Sequence, residues 1–157
     1  MRDFTDIQDA PKTGRILSID LGTKKVGIAV CDEMQIAVKR VAIIKRSSSR
    51  TFLKAITTFV ADFDAKAVVI GLPLNFDGTE SEMSGDARKT ALRFHHAFNI
   101  PVFLQDERVS TYDARGTLWK QGLDEQQMRK TLDAEAAAII LDDFLAKLQY
   151  GNSLNSK

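Results

Sequence analysis

A mixed α/β sheet with helices on both faces is the fold class this chain predicts, on three observations. Short β-rich runs come first and lie close together. Helical spacing of apolar residues then alternates with wholly apolar, strand-length runs, and Gly or Pro punctuates the joins. The length of 157 residues fits one domain around one core.

Residues 1–14 are polar and aperiodic through Pro11 and Gly14, and read as a flexible lead-in. Ile16, Leu17 and Ile19, then Val26, Ile28 and Val30, flank Gly22-Thr23-Lys24-Lys25, the pattern of a β-hairpin. A third run, 36–44, is expected to pair beside it. After Ser47-Ser48-Ser49, the residues Phe52, Leu53, Ile56, Phe59 and Val60 recur at helical spacing, with Ser48 or Ser49 as N-cap. Ala67-Val68-Val69-Ile70, ending at Gly71, reads as a buried parallel strand that Pro73 stops. A second helix is expected over 80–98, with Ala87, Ala91, Phe94 and Phe98 on one face, and a second buried strand over 100–104. Two more helices follow, near 111–121 and over 133–148, and 149–157 reads as a loose tail. The folded domain is thus expected over 15–148. Three antiparallel strands followed by two parallel ones joined through right-handed helical crossovers are the plan of ribonuclease H-like folds.

Charge narrows the functional classes. With 22 Lys and Arg against 21 Asp and Glu, no overall field draws the chain to nucleic acid or membrane, so any such contact must come from a local patch. The single cysteine, Cys31, excludes an internal disulfide, and the first residues lack the apolar centre of a signal peptide. No apolar run approaches the roughly 18 residues of a membrane span. A cytoplasmic setting is expected.

Three acids stand out. Asp20 interrupts the apolar run of what should be a central strand, where a buried carboxylate is costly without a partner. Its competing role is an Asx turn, although Gly22 and Gly27 also clear space near that backbone. Asp106 and Glu107 end the second buried strand at its carboxyl end, where ligands gather in open α/β sheets. Strand alternation turns only one of the two inward, and spacing does not say which. Asp133 shares the stripe of Ala137, Ile140 and Phe144, with capping of a first helical turn as its competing role. Two carboxylates about 4 Å apart repel by roughly 4 kcal/mol at an effective dielectric near 20, so three convergent acids call for a cation. Oxygen ligands without a His or Cys cluster suit Mg²⁺ or Mn²⁺, and a metal held by carboxylates points to phosphate chemistry.

Basic and polar residues border these acids. Lys24 and Lys25 occupy the hairpin tip, where they serve a phosphate or only solubility. Asn75 and Thr79 lie in the loop leaving the first buried strand, and Arg88 lies two turns into the helix beyond it, in reach of phosphate or simply solvated. Asp32 reads as a turn residue, and His95 and His96 as unrelated to the acids.

Taken together, DLGTKKVGIAV, GLPLNFDGTE, DERVST and DAEAAAIILDDFL resemble, in order and spacing, the four hallmark blocks of the YqgF, or RuvX, family of Holliday junction resolvase-like proteins, also described as pre-16S rRNA nucleases. The resemblance runs from about Arg15 to Leu148. It implies a ribonuclease H-like fold, a cytoplasmic bacterial protein, and metal-dependent hydrolysis of phosphodiester bonds in ribosomal RNA maturation. Asp20 then matches the first-strand acid, Glu107 the acid of the DER block and Asp133 the acid of the last helix. Arg108 and Lys24 or Lys25 match basic positions expected at the nucleic-acid backbone. Junction resolvases carry an acid on the fourth strand, where this chain has Ile70-Gly71-Leu72-Pro73, so Glu107 must substitute from the neighbouring strand. They also place a second acid one turn after the last, where this chain has Ala136.

The leading expectation is therefore an RNA nuclease whose partner is precursor rRNA or a pre-ribosomal particle, with no membrane partner and with homodimer formation left open. Its rivals are a binding module on the nuclease fold without turnover, and a junction resolvase acting on DNA. An ATP-cradling lobe of the actin and sugar-kinase type needs a second lobe that 157 residues do not provide.

Overall fold

The computed structural model describes residues 3–108 and 125–155, with side chains from 135 to 150 in the second stretch. Five strands, β1 (Ile16–Leu21), β2 (Lys25–Cys31), β3 (Val38–Lys45), β4 (Ala67–Leu72) and β5 (Val102–Asp106), form one sheet in the order β3-β2-β1-β4-β5. β1, β2 and β3 pair antiparallel, and β4 and β5 add to β1 in parallel. The helices are α1 (Ser49–Phe63), α2 (Glu82–Ala97) and α3 (Glu125–Asn155).

Side-chain alternation divides the core. Leu17, Ile19, Val68, Ile70, Val102 and Leu104 face α1 and α2. Ile16, Ala67, Val69 and Phe103 face Ile140, Leu141, Phe144 and Leu148 of α3. Burial on both faces explains why β4 reads as an unbroken apolar run, and helices cover both faces as the sequence predicts.

Ser48 caps α1, its hydroxyl accepting from Thr51 N–H at 3.3 Å, and Ser81 caps α2 in a reciprocal box with Ser84. Several boundaries differ from expectation for identifiable reasons. β3 begins at Val38 because Asp32 to Ala37 form a turn: Asp32 N–H donates to Ala37 O at 3.0 Å, and Ile36 N–H to the Asp32 carboxylate at 2.8 Å. Pro101 has no N–H for a ladder, so β5 starts after it and reaches Asp106. The last helix starts at Glu125, well before residue 133, because EQQMRKTL is rich in helix formers although its polar residues hide it from an apolar-stripe reading. It also continues past Leu148 to Asn155. Asp133 is therefore about two turns inside the helix, which removes first-turn capping as its role. The helix expected near 111–121 lies outside the described residues.

Residues 3–14, expected as a lead-in, pack on the sheet, from Phe4 at the outer edge of β5 to Pro11 and Gly14, where Pro11 O accepts from Gln35 Nε2 and Gly14 N–H donates to Glu33 O beyond β2. Phe4 accepts from Leu104 N–H at 2.8 Å through its carbonyl and packs against the α1–α2 core, while Ile7 and Ala10 pack against the α3 side. An edge strand is thereby covered. No helix among the described residues is long and apolar enough to cross a membrane.

Candidate active site

Two of the expected acids, Asp20 and Glu107, lie at the carboxyl ends of the parallel strands, on the α3 face. Ile16, Ser18 and Asp20 alternate onto that face of β1. Ser18 is fully buried and donates its hydroxyl to Ala137 O of α3 at 2.6 Å, fixing helix against strand. Asp20, two residues on, is half-buried beyond the last registered pair of β1 and β4, Ile19 with Ile70.

Glu107 follows β5 immediately, and its N–H still donates to Leu72 O at 3.2 Å, so its backbone is held against the end of β4. Its carboxyl lies over Gly71. A Cβ at Gly71 would come within 2.6 Å of Glu107 Cδ, 2.8 Å of its Oε1 and 2.5 Å of Ile140 Cδ1. The missing side chain makes room for the acid, which takes the space in front of β4 that a β4 side chain would fill. The carboxyl is pushed from 4.5 up to about 8, first by burial and then by the charges of Asp20 and Asp106. This coupling identifies Asp20 and Glu107 as neighbours.

Alternation also settles which member of the Asp106–Glu107 pair turns toward Asp20. Asp106 projects to the other side and is forked by Arg108, whose Nη2 lies 2.7 Å and Nε 2.9 Å from Oδ2. That hydrogen bonding holds the Asp106 carboxyl below the usual carboxylate range.

The Asp133 side chain lies outside the described ones, but its backbone position can be placed. α3 runs opposite to the parallel strands, since its later residues, Phe144 to Leu148, pack near their starts. From Ala137 back to residue 133 is about 6 Å along the helix, and from Ser18 to Asp20 about 6.6 Å along the strand. Position 133 therefore falls at the level of Asp20. Among the described residues no three His, Cys, Asp or Glu side chains form a metal-binding group; Asp20 and Glu107 supply two carboxylates.

The remaining expected residues sort into two sets. Asn75 and Thr79 are used within their own loop: Asn75 Nδ2 donates to Thr79 Oγ1 at 3.0 Å, and Thr79 donates through N–H and hydroxyl to Asp77 at 3.0 and 2.6 Å. Arg88 is paired with Glu80 at 2.6 Å, and Glu80 also accepts from the Ser84 hydroxyl. Arg108 joins β5 to the same loop, because a Cβ at Gly78 would meet its Nη1 at 3.1 Å. These contacts make a rigid rim. Lys24 and Lys25 are exposed on the hairpin at the same end of the sheet. Gly22 serves that hairpin directly, since a Cβ there would lie 2.5 Å from Lys25 O, which accounts for it without a ligand.

A search against protein-family models matches residues 14–147 to RuvX, described as Holliday junction resolvase. The chain belongs to the RuvX family. Curated relatives named "Putative pre-16S rRNA nuclease" include one from Anaeromyxobacter sp. (strain K), 40% identical over 131 residues, which span 83% of this chain and 96% of the relative. Another, from Azotobacter vinelandii, is 35% identical over 136 residues, spanning 87% of this chain and 96% of the relative. Among solved structures, Thermus thermophilus RuvC in complex with a Holliday junction substrate superposes with a TM-score of 0.52 at 14% identity, covering 86% of this chain and 96% of that one. The yeast mitochondrial Holliday junction resolvase Ydc2 gives 0.52 at 16% identity, covering 92% and 85%. The RuvX chain thus has the ribonuclease H-like fold.

Two features of this RuvX site escaped the sequence reading. Gly71 looked like a strand terminus rather than the floor under a carboxyl. Phe76 is 91% exposed in the otherwise polar rim loop and has no place in the sequence expectations above. Its position inside LNFDG, a turn sequence with no use for a core aromatic, was the available signal.

Proposed function

We propose that this RuvX chain is a metal-dependent nuclease that hydrolyses phosphodiester bonds in precursor 16S rRNA. The observation that carries the reading is the half-buried Glu107 carboxyl over Gly71, crowded by Asp20. Such a pair is electrostatically unfavourable alone and is relieved by a proton or a cation, so the residues present fit a divalent ion. Asp20, Glu107 and Asp133 would hold Mg²⁺ or Mn²⁺. When bound, such an ion would lower the pKa of a coordinated water and offset negative charge on the phosphate.

The chain's own residues do the rest. Ser18 fixes α3 over β1 and so sets the distance between positions 20 and 133. Arg108, braced by Asp106, stands on the rim between the acids and the 73–81 loop, in place to meet a backbone phosphate. Lys24 and Lys25 extend that contact along the hairpin. Phe76 offers an exposed ring on which a nucleobase can stack. A cytoplasmic setting fits both an rRNA substrate and a lone buried thiol, Cys31.

Purified protein should cleave a transcript spanning the 16S precursor ends when Mg²⁺ or Mn²⁺ is added, and not in chelator. Asp20→Asn and Glu107→Gln should each lower the rate by at least about 100-fold. RNA binding without cleavage in any divalent metal would instead favour a binding module on the nuclease fold.

A further inference from the structure

The groove between α1 and α2, on the sheet face away from the acids, is the feature the catalytic reading leaves unused. It holds a cavity of about 450 Å³ whose lining includes Arg46, Arg50, Arg93, Ser49, Phe52 and Phe94. No acid lines it. The stretch of chain that supplies it is also locally basic: between Glu33 and Asp62 there is no Asp or Glu, while Lys39, Lys45, Arg46, Arg50 and Lys54 fall within it, and Arg40 of that stretch turns to the other face, pairing with Glu135 of α3 at 2.6 Å. A chain of net charge +1 thus concentrates cations in one continuous segment.

Two of the arginines, Arg46 and Arg93, are held in place by the fold. Arg46 donates to Gly22 O at 2.9 Å and pairs with Asp86 at 2.6 Å, tying the β1–β2 hairpin to α2. Arg93 Nη1 donates to the Ser49 hydroxyl at 2.7 Å across the groove, joining α2 to the start of α1. Arg50 makes no hydrogen bond or ion pair with any described residue. Beneath them the floor is apolar, built by Phe52, Leu53 and Phe94. A fully hydrated anion gains nothing from such a floor, whereas a ligand with a phosphate at one end and a flat, apolar ring at the other satisfies both parts. A nucleotide has this chemistry, and the cavity is of a size to take one.

We propose that the α1–α2 groove is a second RNA-binding site, which seats one nucleotide of the substrate strand away from the cut, its phosphate against Arg50 and Arg93 and its base toward Phe52 and Leu53. The route is continuous: Lys24 and Lys25 stand at the carboxyl edge beside Asp20, the backbone carbonyl of Lys24 accepts from Arg46 N–H at 2.9 Å, and Arg46 lines the groove. An RNA strand crossing that edge reaches both places. The inference rests on the nuclease reading for the identity of the strand, but not for the existence of the site.

Binding is measured by fluorescence anisotropy of a short labelled single-stranded RNA across a KCl series, in chelator so that no cleavage occurs. Arg50→Ala/Arg93→Ala should weaken binding about 10-fold and reduce the slope of log affinity against log salt by about 0.7, the value for one lost phosphate contact on a single strand. Lys66→Ala, at the opposite end of the sheet, should leave both unchanged. Arg50→Ala alone carries the test with about half the slope change if the double variant melts early, since its side chain supports no described contact. Wild-type affinity and slope in a folded variant overturn the proposal. Cleavage by the wild type, assayed separately, reports on the nuclease reading: intact cleavage with an unchanged slope sinks only the groove, and absent cleavage with a reduced slope sinks only the nuclease.

Discussion

At the amino-terminal ends of the parallel strands, Arg15 meets Glu33 at 3.9 Å and Lys66 meets Asp64 at 3.1 Å around a cavity of about 310 Å³. At the carboxyl ends of the same strands, Glu107 is half-buried near Asp20 and its carboxyl is driven up to about 8. The first end pairs its charges on the surface, where each pair contributes little. The second end crowds like charges under a helix, and the fold accepts the cost. Ordinary packing gives no reason to leave β4 bare at Gly71 so that a carboxyl can lie on it. On the proposed function, the carboxyl end is where this fold trades stability for a ligand, and the amino-terminal end is where it does not.

The largest contrast is expected in cleavage. Asp20→Asn or Glu107→Gln should reduce the rate by at least about 100-fold, while Glu33→Gln or Lys66→Ala should leave it at the wild-type level. Equal losses at both ends would erase the distinction.

Stability against pH should separate the ends next. Glu107 is a carboxyl whose folded value is raised above 4.5, so between there and about 8 the folded protein holds a proton that the unfolded chain has released. Metal-free protein should therefore lose stability as pH rises through that window, by a few kcal/mol at most. Glu107→Gln should flatten the curve and melt higher than wild type at pH above 8. Removing Glu33 or Asp64 should not produce this change of slope. Thermal melts in chelator across the pH range measure both.

Gly71→Ala comes third. Its methyl group would press on Glu107 and Ile140, so denaturant unfolding should show a loss of about 1–3 kcal/mol. Cleavage should fall as well, because the acid is displaced. A neutral Gly71→Ala would mean that the carboxyl does not need its seat. Smallest is Phe76→Ala, which touches no core and should leave melting unchanged while weakening single-stranded RNA binding several-fold, within the range of about 1–3 kcal/mol per stacked base.

Much of this arrangement was legible in the sequence, where local pattern and tertiary role coincide. The apolar run of β4, the Ser48 cap and the interruption of β1 by Asp20 each announce themselves within a few residues. The choice between Asp106 and Glu107 was not legible, because it depends on where β5 ends, and Pro101 moves that strand two residues from its expected place. The start of α3 was hidden for a different reason: its first two turns are polar, so propensity rather than apolar spacing extends them. The seat at Gly71 and the groove between α1 and α2 unite residues far apart in sequence, and no window along the chain contains both sides of either. A partial sign of the groove was present in the acid-free stretch from 34 to 61.

On the proposed function, the carboxyl pair of Asp20 and Glu107 forms a cation site. Titration calorimetry of Mn²⁺ into the intact protein at pH 7, repeated in buffers of different ionisation enthalpy, tests it most directly. Because burial and the Asp20 charge push the Glu107 carboxyl up to about 8, binding at pH 7 should release protons, and both the release and the affinity should collapse in Glu107→Gln. Mn²⁺ binding of undiminished affinity in Glu107→Gln, or binding without proton release in the wild type, would contradict it.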